Sequence, residues 1–317
     1  MPSLVGSEMC IRDSDKSSFH HNLMAHHESR MPRLGPRPST QEREHVDMRN
    51  NVFYNWAGAG CYGGEGMKVN IVNNYYKPGP ATPKTGPISY RIAAIGIRTT
   101  KYCTGRNGEP NVWKPMEHVW GKFYVDGNVM EGNTEVTKDN WTRGMYEQIR
   151  SSANDNTFTE QVKKEMRLNV PLEMGIVTTH TAEEAYQLVL ANAGCSHRRD
   201  IIDTRIVKET KTGTAAYYGS ISVDAKNKPG FIDVPDDVKP AGARSAWPDL
   251  SNDGIDTANL KDSDNDGIPD IWETAHNLDS NDASDGNAVT LSDEGYTNLE
   301  IYLNDLVKND TQNQSYN

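Results

Sequence analysis

Between Asp262 and Glu273 the chain reads DSDNDGIPDIWE, which spaces oxygen donors as a hard dication requires. Carboxylates stand at loop positions one, three, five and nine (Asp262, Asp264, Asp266, Asp270). Gly267 permits the sharp turn at position six, Ile268 offers a backbone carbonyl at seven, and Glu273 closes the twelve-residue loop with two oxygens. This spacing predicts a calcium site. Its flanks differ from those of a paired-helix sensor: residues 251–261, SNDGIDTANLK, lack helical periodicity. Only about two helical turns fit between the loop and Asn277, ahead of a second acidic run over 279–286. With no substantial helix on the entering side, the ion is expected to be structural rather than a switch.

The second concentration of chemistry lies in residues 17–37, SSFHHNLMAHHESRMPRLGPR, with His20, His21, His26 and His27 beside Arg30, Arg33 and Arg37. Guanidinium forks pair bidentately with carboxylates, so three arginines in eight residues suit an acidic polymer. The plainer alternative is a solvated basic turn. Adjacent histidines on a strand point to opposite faces, so at most alternate members can share a site. Structural roles are therefore expected for them.

Four segments that must position these residues share one theme, a short β-prone run with Asn at a fixed place. They are SSFHHNLM (17–24), HVDMRNNVFYNW (45–56), MKVNIVNNYYKPG (67–79) and GKFYVDGNVMEGN (121–133). With Asn22, Asn51, Asn74 and Asn128 equivalent, the spacings are 29, 23 and 54, the last being two rungs or one rung with an insertion. Such a period fits a solenoid in which stacked coils bury one core and Asn bonds its counterpart in the next coil. The fold class expected is all-β, a right-handed parallel β-helix with a helical carboxyl-terminal extension and a small calcium-binding module; a β-sandwich is the competitor. KPGPATPKTGP (77–87) reads as a long surface turn of the kind that walls a groove. Capping-box pairs, Thr181 with Glu184 and Thr297 with Glu300, predict helices over 182–193 and 297–307, and Ile202 and Ile206 lie on one face of another over 198–208.

The net charge of −11 is uneven. Residues 251–317 carry fifteen acidic groups against Lys261 and Lys308, a net −13, leaving about +2 on residues 1–250. An acidic tail disfavours nucleic acid and anionic membranes as partners, while the larger part remains free to bind an anionic substrate. No apolar run approaches the ~20 residues of a membrane span. The four cysteines lack metal-ligand spacing and read as small buried thiols. PSLVGSEMCIRDS (2–14) resembles translated sequencing-adapter read-through, so residues 1–14 are set apart from the fold, 15–250 form the main domain and 251–317 the acidic module. On that reading the natural amino terminus, with any signal peptide, lies upstream.

The HHN element of SSFHHNLM followed by Arg30-Met31-Pro32 resembles the pectate lyases, the family-one polysaccharide lyases. The likeness continues through NNVFYNW, NNYY and AEEAYQLVLANAGCSHRRDIIDTRIV, while the Asp-rich tail looks like the calcium modules of dockerins and thrombospondin type 3 repeats. The resemblance implies β-elimination of polygalacturonate or pectin by a secreted, periplasmic or cell-surface monomer. It implies Arg30 as the base that takes the C5 proton, although a guanidinium is ordinarily always charged and needs crowding by cations to lose its proton. Arg33 and Arg37 are expected to bind substrate; Gly35 stands near the place of the family's second active-site arginine, and either neighbour is a candidate to replace it. The family's catalytic calcium ligands and lysine fall upstream of the HHN element, so a catalytic Ca2+ is expected on coils beyond this sequence, in addition to the structural Ca2+ of the module. A noncatalytic acidic-polysaccharide-binding β-helix is the alternative. Glycoside hydrolysis would want two facing carboxylates, which residues 15–140 do not offer clearly.

Overall fold

The computed structural model describes residues 16–38, 40–150, 153–175, 177–196, 198–248 and 257–308. The adapter-like residues 1–14 and most of the approach to the calcium loop lie outside these. Four coils each contribute three short strands. Coil one holds β1 (Lys16–His20), β2 (Leu23–Ala25) and β3 (Ser29–Leu34); coil two, β4 (His45–Arg49), β5 (Val52–Tyr54) and β6 (Gly60–Gly63). Coil three holds β7 (Lys68–Val72), β8 (Tyr75–Lys77) and β9 (Ala93–Ile95), and coil four β10 (Lys122–Asp126), β11 (Val129–Met130) and β12 (Met145–Glu147). Equivalent strands pair in parallel to give three four-stranded sheets, ordered β1-β4-β7-β10, β11-β8-β5-β2 and β12-β9-β6-β3. That arrangement is a parallel β-helix.

Inward side chains stack rung on rung. Met48, Phe53, Ile71, Ile95, Phe123 and Met145 are fully buried, each stabilising by roughly 1.5–3 kcal/mol relative to exposure. Phe53 stacks on Tyr76 of the next coil with ring centroids 4.7 Å apart.

The turn from the first sheet to the second repeats a two-residue device. A left-handed residue, His21, Asn50, Asn73 or Gly127, precedes the ladder residue, Asn22, Asn51, Asn74 or Asn128. His and Asn tolerate this conformation better than most side chains. At Gly127 a Cβ would also run into the Asn73 side-chain oxygen. Each ladder Asn donates its backbone N–H and its Nδ2 to the next Asn Oδ1: from Asn22 to Asn51 at 3.1 and 2.9 Å, from Asn51 to Asn74 at 3.0 and 3.0 Å, and from Asn74 to Asn128 at 3.0 and 2.9 Å. Asn128 donates in the same way to Asn140, so the ladder runs one step beyond the four expected members. The 54-residue interval is one rung with insertions, because β7 pairs directly with β10.

The label all-β is too narrow. Nine α-helical segments occur among the described residues. The Asn140–Gly144 helix occupies the approach to β12, where chain that leaves the strand path satisfies its backbone internally. Helices Ala182–Asn192 and Ile201–Thr212 follow the solenoid; the first lies along β5 and β8 and carries the full Thr181/Glu184 capping box. The second begins at 201 rather than 198 and runs to 212. Between them and coil four, the chain returns along the first sheet: Leu168 N–H donates to Phe123 O, Leu172 N–H to Asn70 Oδ1 and His180 N–H to Asn50 Oδ1.

By contacts the chain divides into two compact units, one extending to Trp247 without residues 195–200, the other comprising 195–200 and residues from Pro248 onward. In the second unit, helix Asp270–His276 ends at left-handed Asn277, and helix Asn298–Leu306 starts with the Thr297/Glu300 capping box.

Candidate functional site

Two of the three arginines, Arg30 and Arg33, sit on β3, at the end of the third sheet's strand order. Ser29 pairs with Gly60 and Arg33 with Tyr62, so β3 holds two more residues than β6 over the same interval. This bulge carries Arg30. Its backbone is left-handed, with φ 65°, its side chain is exposed, and its Nε donates to Tyr62 Oη at 3.3 Å; the following Met31–Pro32 peptide is cis. Bulges re-aim side chains and gather beside functional sites. Met31 and Leu34 meanwhile anchor the strand in the core. Arg33 lies in register with Tyr62, Ala94 and Tyr146 of successive coils, which places these residues on one face of the sheet. Among the described residues its side chain has no acidic partner. Arg37 lies past the strand and turns to Glu44, its Nε 3.7 Å from Glu44 Oε1, which also accepts the Arg37 backbone N–H at 3.3 Å. Sequence reasoning did not single out Tyr62, which carries no local signal; only coil stacking brings it to Arg30.

Three of the four histidines are committed elsewhere. His20 Nδ1 lies 3.0 Å from His21 Nδ1, and His21 Nε2 lies 3.1 Å from His180 Nδ1. Burial, then the His20 and His180 imidazoles, push His21 down to about 4. His26 contacts Asn55 Nδ2 at 2.8 Å and Glu209 Oε2 at 2.9 Å, tying coil one to the Ile201–Thr212 helix.

In the second unit the acidic loop gathers its carboxylates. Ligand oxygens of Asp262, Asp264 and Asp266 lie within 4.8 Å of one another, and so do those of Asp266, Glu273 and Asp285. Glu273 is completely buried, and neither of its carboxylate oxygens has a hydrogen-bond partner. Burial, then the charges of Asp264, Asp266, Asp285 and Asp270, push its carboxyl up to about 7. A buried acid with two orphaned oxygens among other acids is the environment a divalent cation satisfies. The Ile268 side chain is buried. Asp270, at position nine, is turned to Ser263 N–H at 2.7 Å and Lys261 Nζ at 2.7 Å. Asp285 was visible in the sequence only as part of a generally acidic run.

The parallel β-helix thus carries a basic bulge, Arg30 with Arg33, on its third sheet. In comparison with known proteins, "Probable pectate lyase C" of Aspergillus flavus is 27% identical over 265 residues, covering 82% of this chain and 48% of that protein. Proteins of the same name from Neosartorya fischeri and Aspergillus fumigatus are 26% and 27% identical over 266 and 267 residues, with the same coverage. The similarity supports a pectate-lyase-like family, and the chain spans about half the length of the curated relatives it matches. No family model matches it. No described helix is long and apolar enough to cross a membrane.

Proposed function

We propose that this chain is part of a pectate-lyase-like enzyme that cleaves polygalacturonate by β-elimination, acting as a secreted, periplasmic or cell-surface monomer. The observation that carries the reading is the β3 bulge, which presents Arg30 on the face shared by Arg33 and Tyr62. A strained, exposed residue in a conformation unusual for arginine is a fair starting point for a functional assignment. Arg30 accepts the C5 proton in this scheme. The C5–H pair becomes the C4–C5 double bond, and the C4–O bond breaks to the leaving oxygen, which takes up a proton. Cationic neighbours favour the neutral guanidine required, and Arg33 on the same strand supplies one. Arg33 binds a uronate carboxylate bidentately. It suits that role better than Arg37, which already faces Glu44.

Calcium is proposed as a structural ion of the second unit, held by Asp262, Asp264, Asp266, the Ile268 carbonyl and Glu273. Bound there it neutralises the gathered carboxylates. Among the described residues, acidic groups gathered at metal-ligand distances all belong to 262–285, and none surrounds Arg30. The second reading is a noncatalytic acidic-polysaccharide-binding β-helix, in which Arg30 and Arg33 pair with uronate carboxylates without proton transfer. One assay separates the two. Incubation of polygalacturonate and calcium with a version that carries the upstream coils is expected to release products with the ultraviolet absorbance of the new double bond, and Arg30→Ala in that version to lower the rate by about 10²–10⁴ without changing the circular dichroism. Binding without unsaturated product would leave the binding reading, and new reducing ends without unsaturation would replace the lyase by a hydrolase.

A further inference from the structure

The twelve-residue loop does not complete its own cation site; we propose that Asp285, twelve residues beyond Glu273, is a direct calcium ligand and that Asp270 is a brace outside the coordination sphere. This assignment rests on the calcium reading of the module. Its basis is how each carboxylate divides its two oxygens. Asp264 accepts from Asp266 N–H through Oδ1, and Asp266 accepts from Ile268 N–H through Oδ1; each keeps a buried Oδ2 with no partner. Asp285 follows the same pattern, with Oδ2 accepting from Asp279 N–H at 2.8 Å and Oδ1 buried and unpartnered. Glu273 leaves both oxygens unpartnered and is fully buried among them. Asp262 also accepts through both oxygens, Oδ1 from Asn265 N–H at 2.7 Å and Oδ2 from Gly267 N–H at 3.0 Å, but both donors are amides of the loop's own turn and its oxygens stay gathered with those of Asp264 and Asp266. Asp270 is different: Oδ1 accepts from Ser263 N–H, and Oδ2 from Ser263 Oγ at 2.8 Å and from the cationic Lys261 Nζ at 2.7 Å. A carboxylate neutralised by a lysine and bonded through both oxygens is a poor ligand, while a buried orphan oxygen beside Asp266 and Glu273 is a good one.

With one oxygen each from Asp262, Asp264, Asp266, Asp285 and the Ile268 carbonyl, and two from Glu273, the shell reaches about seven, within the range calcium takes. The fold supports this placement. Asp285 O accepts from Asn298 Nδ2 at 2.8 Å, and Leu299 N–H donates to Gly286 O at 3.0 Å, so the ligand is pinned to the start of the Asn298–Leu306 helix. Gly286 meets Asp266 so closely that a Cβ there would collide with Asp266 Oδ2. One ion therefore ties the loop, the Asp270–His276 helix, the 279–286 turn and the last helix together.

Calcium titration calorimetry on the full chain tests this with Asp285→Asn, Asp270→Asn and Glu273→Gln. Asparagine at 285 keeps an oxygen for Asp279 N–H, so the fold is retained, and circular dichroism of the calcium-free variants checks it. Asp285→Asn and Glu273→Gln are each expected to raise Kd at least about tenfold, and Asp270→Asn by less than about threefold. Gly286→Ala, which displaces Asp266 Oδ2, provides a second route and is expected to weaken binding likewise. Undiminished affinity in Asp285→Asn, with loss in Asp270→Asn, overturns the assignment while leaving the calcium site intact. No binding by the wild-type chain overturns the calcium reading itself.

Discussion

Arg30 is presented by a mismatch of two residues between neighbouring strands, whereas His21, a few positions earlier, is locked into a turn by the same coil. Similar side chains in one short segment thus take different tasks according to backbone geometry. The buried imidazole has a measurable consequence. The unfolded chain binds a proton at His21 near the ordinary 6.5 and the folded chain only near 4, so between these values the unfolded state holds more protons. Stability contributed by neutral His21 is fully present above pH 6.5 and is lost progressively as pH falls toward 4. Urea midpoints at pH 7 and pH 5 should show this loss in the wild type and a smaller one in His21→Asn, which keeps a residue tolerant of the left-handed turn. An identical drop in both proteins would refute the role given to His21.

The turns between the first and second sheets act as one element through the asparagine ladder. Asn74 lies inside it: Asn74→Ala leaves the Asn51 N–H and Asn51 Nδ2 without their acceptor in a buried turn. With each orphaned buried group costing about 1–3 kcal/mol, a loss of roughly 3 kcal/mol is expected. Asn22 is exposed and, among the described residues, serves the ladder as a donor, so Asn22→Ala in this chain should cost under about 1 kcal/mol, a lost exposed hydrogen bond. Equal losses in chemical denaturation would contradict the ladder account. Loss of the cap in Thr181→Ala should cost about 1 kcal/mol and act on the Ala182–Asn192 helix, checked by helical ellipticity as well as midpoint.

At the scale of the molecule, the two compact units rest on different physics: apolar rungs in one, and in the other gathered carboxylates that a bound cation would neutralise. Calcium at one hundred times its Kd is expected to stabilise the acidic unit by about 2.7 kcal/mol, since only the folded form gathers the ligands. Differential scanning calorimetry with calcium and with a chelator checks this. A thermogram unchanged by either treatment would rule out a stabilising ion.

What the sequence by itself determined was whatever depends on residues a few positions apart. The aspartates of the loop, its Gly267 turn and the terminal Glu273 could be read this way, as could both Thr/Glu capping boxes and the Asn repeat that sets the coil period. The left-handed residue before each ladder Asn emerged only with the fold, although His, Asn and Gly at that place suit it. Tertiary structure alone decided which distant oxygens and rings meet. Asn140 joins the ladder from a helix, outside any strand pattern, and the 54-residue interval becomes a single rung only once β7 pairs with β10. The β3 bulge exists as an offset against β6, so neither strand read alone contains it, and Tyr62 reaches Arg30 through that stacking. Asp285 and Asp270 look alike as acids in an acidic tail. They differ because folding sets Lys261 and Ser263 against one and buries a bare oxygen of the other beside Glu273, and desolvation, which distinguishes them, is a property of three-dimensional packing.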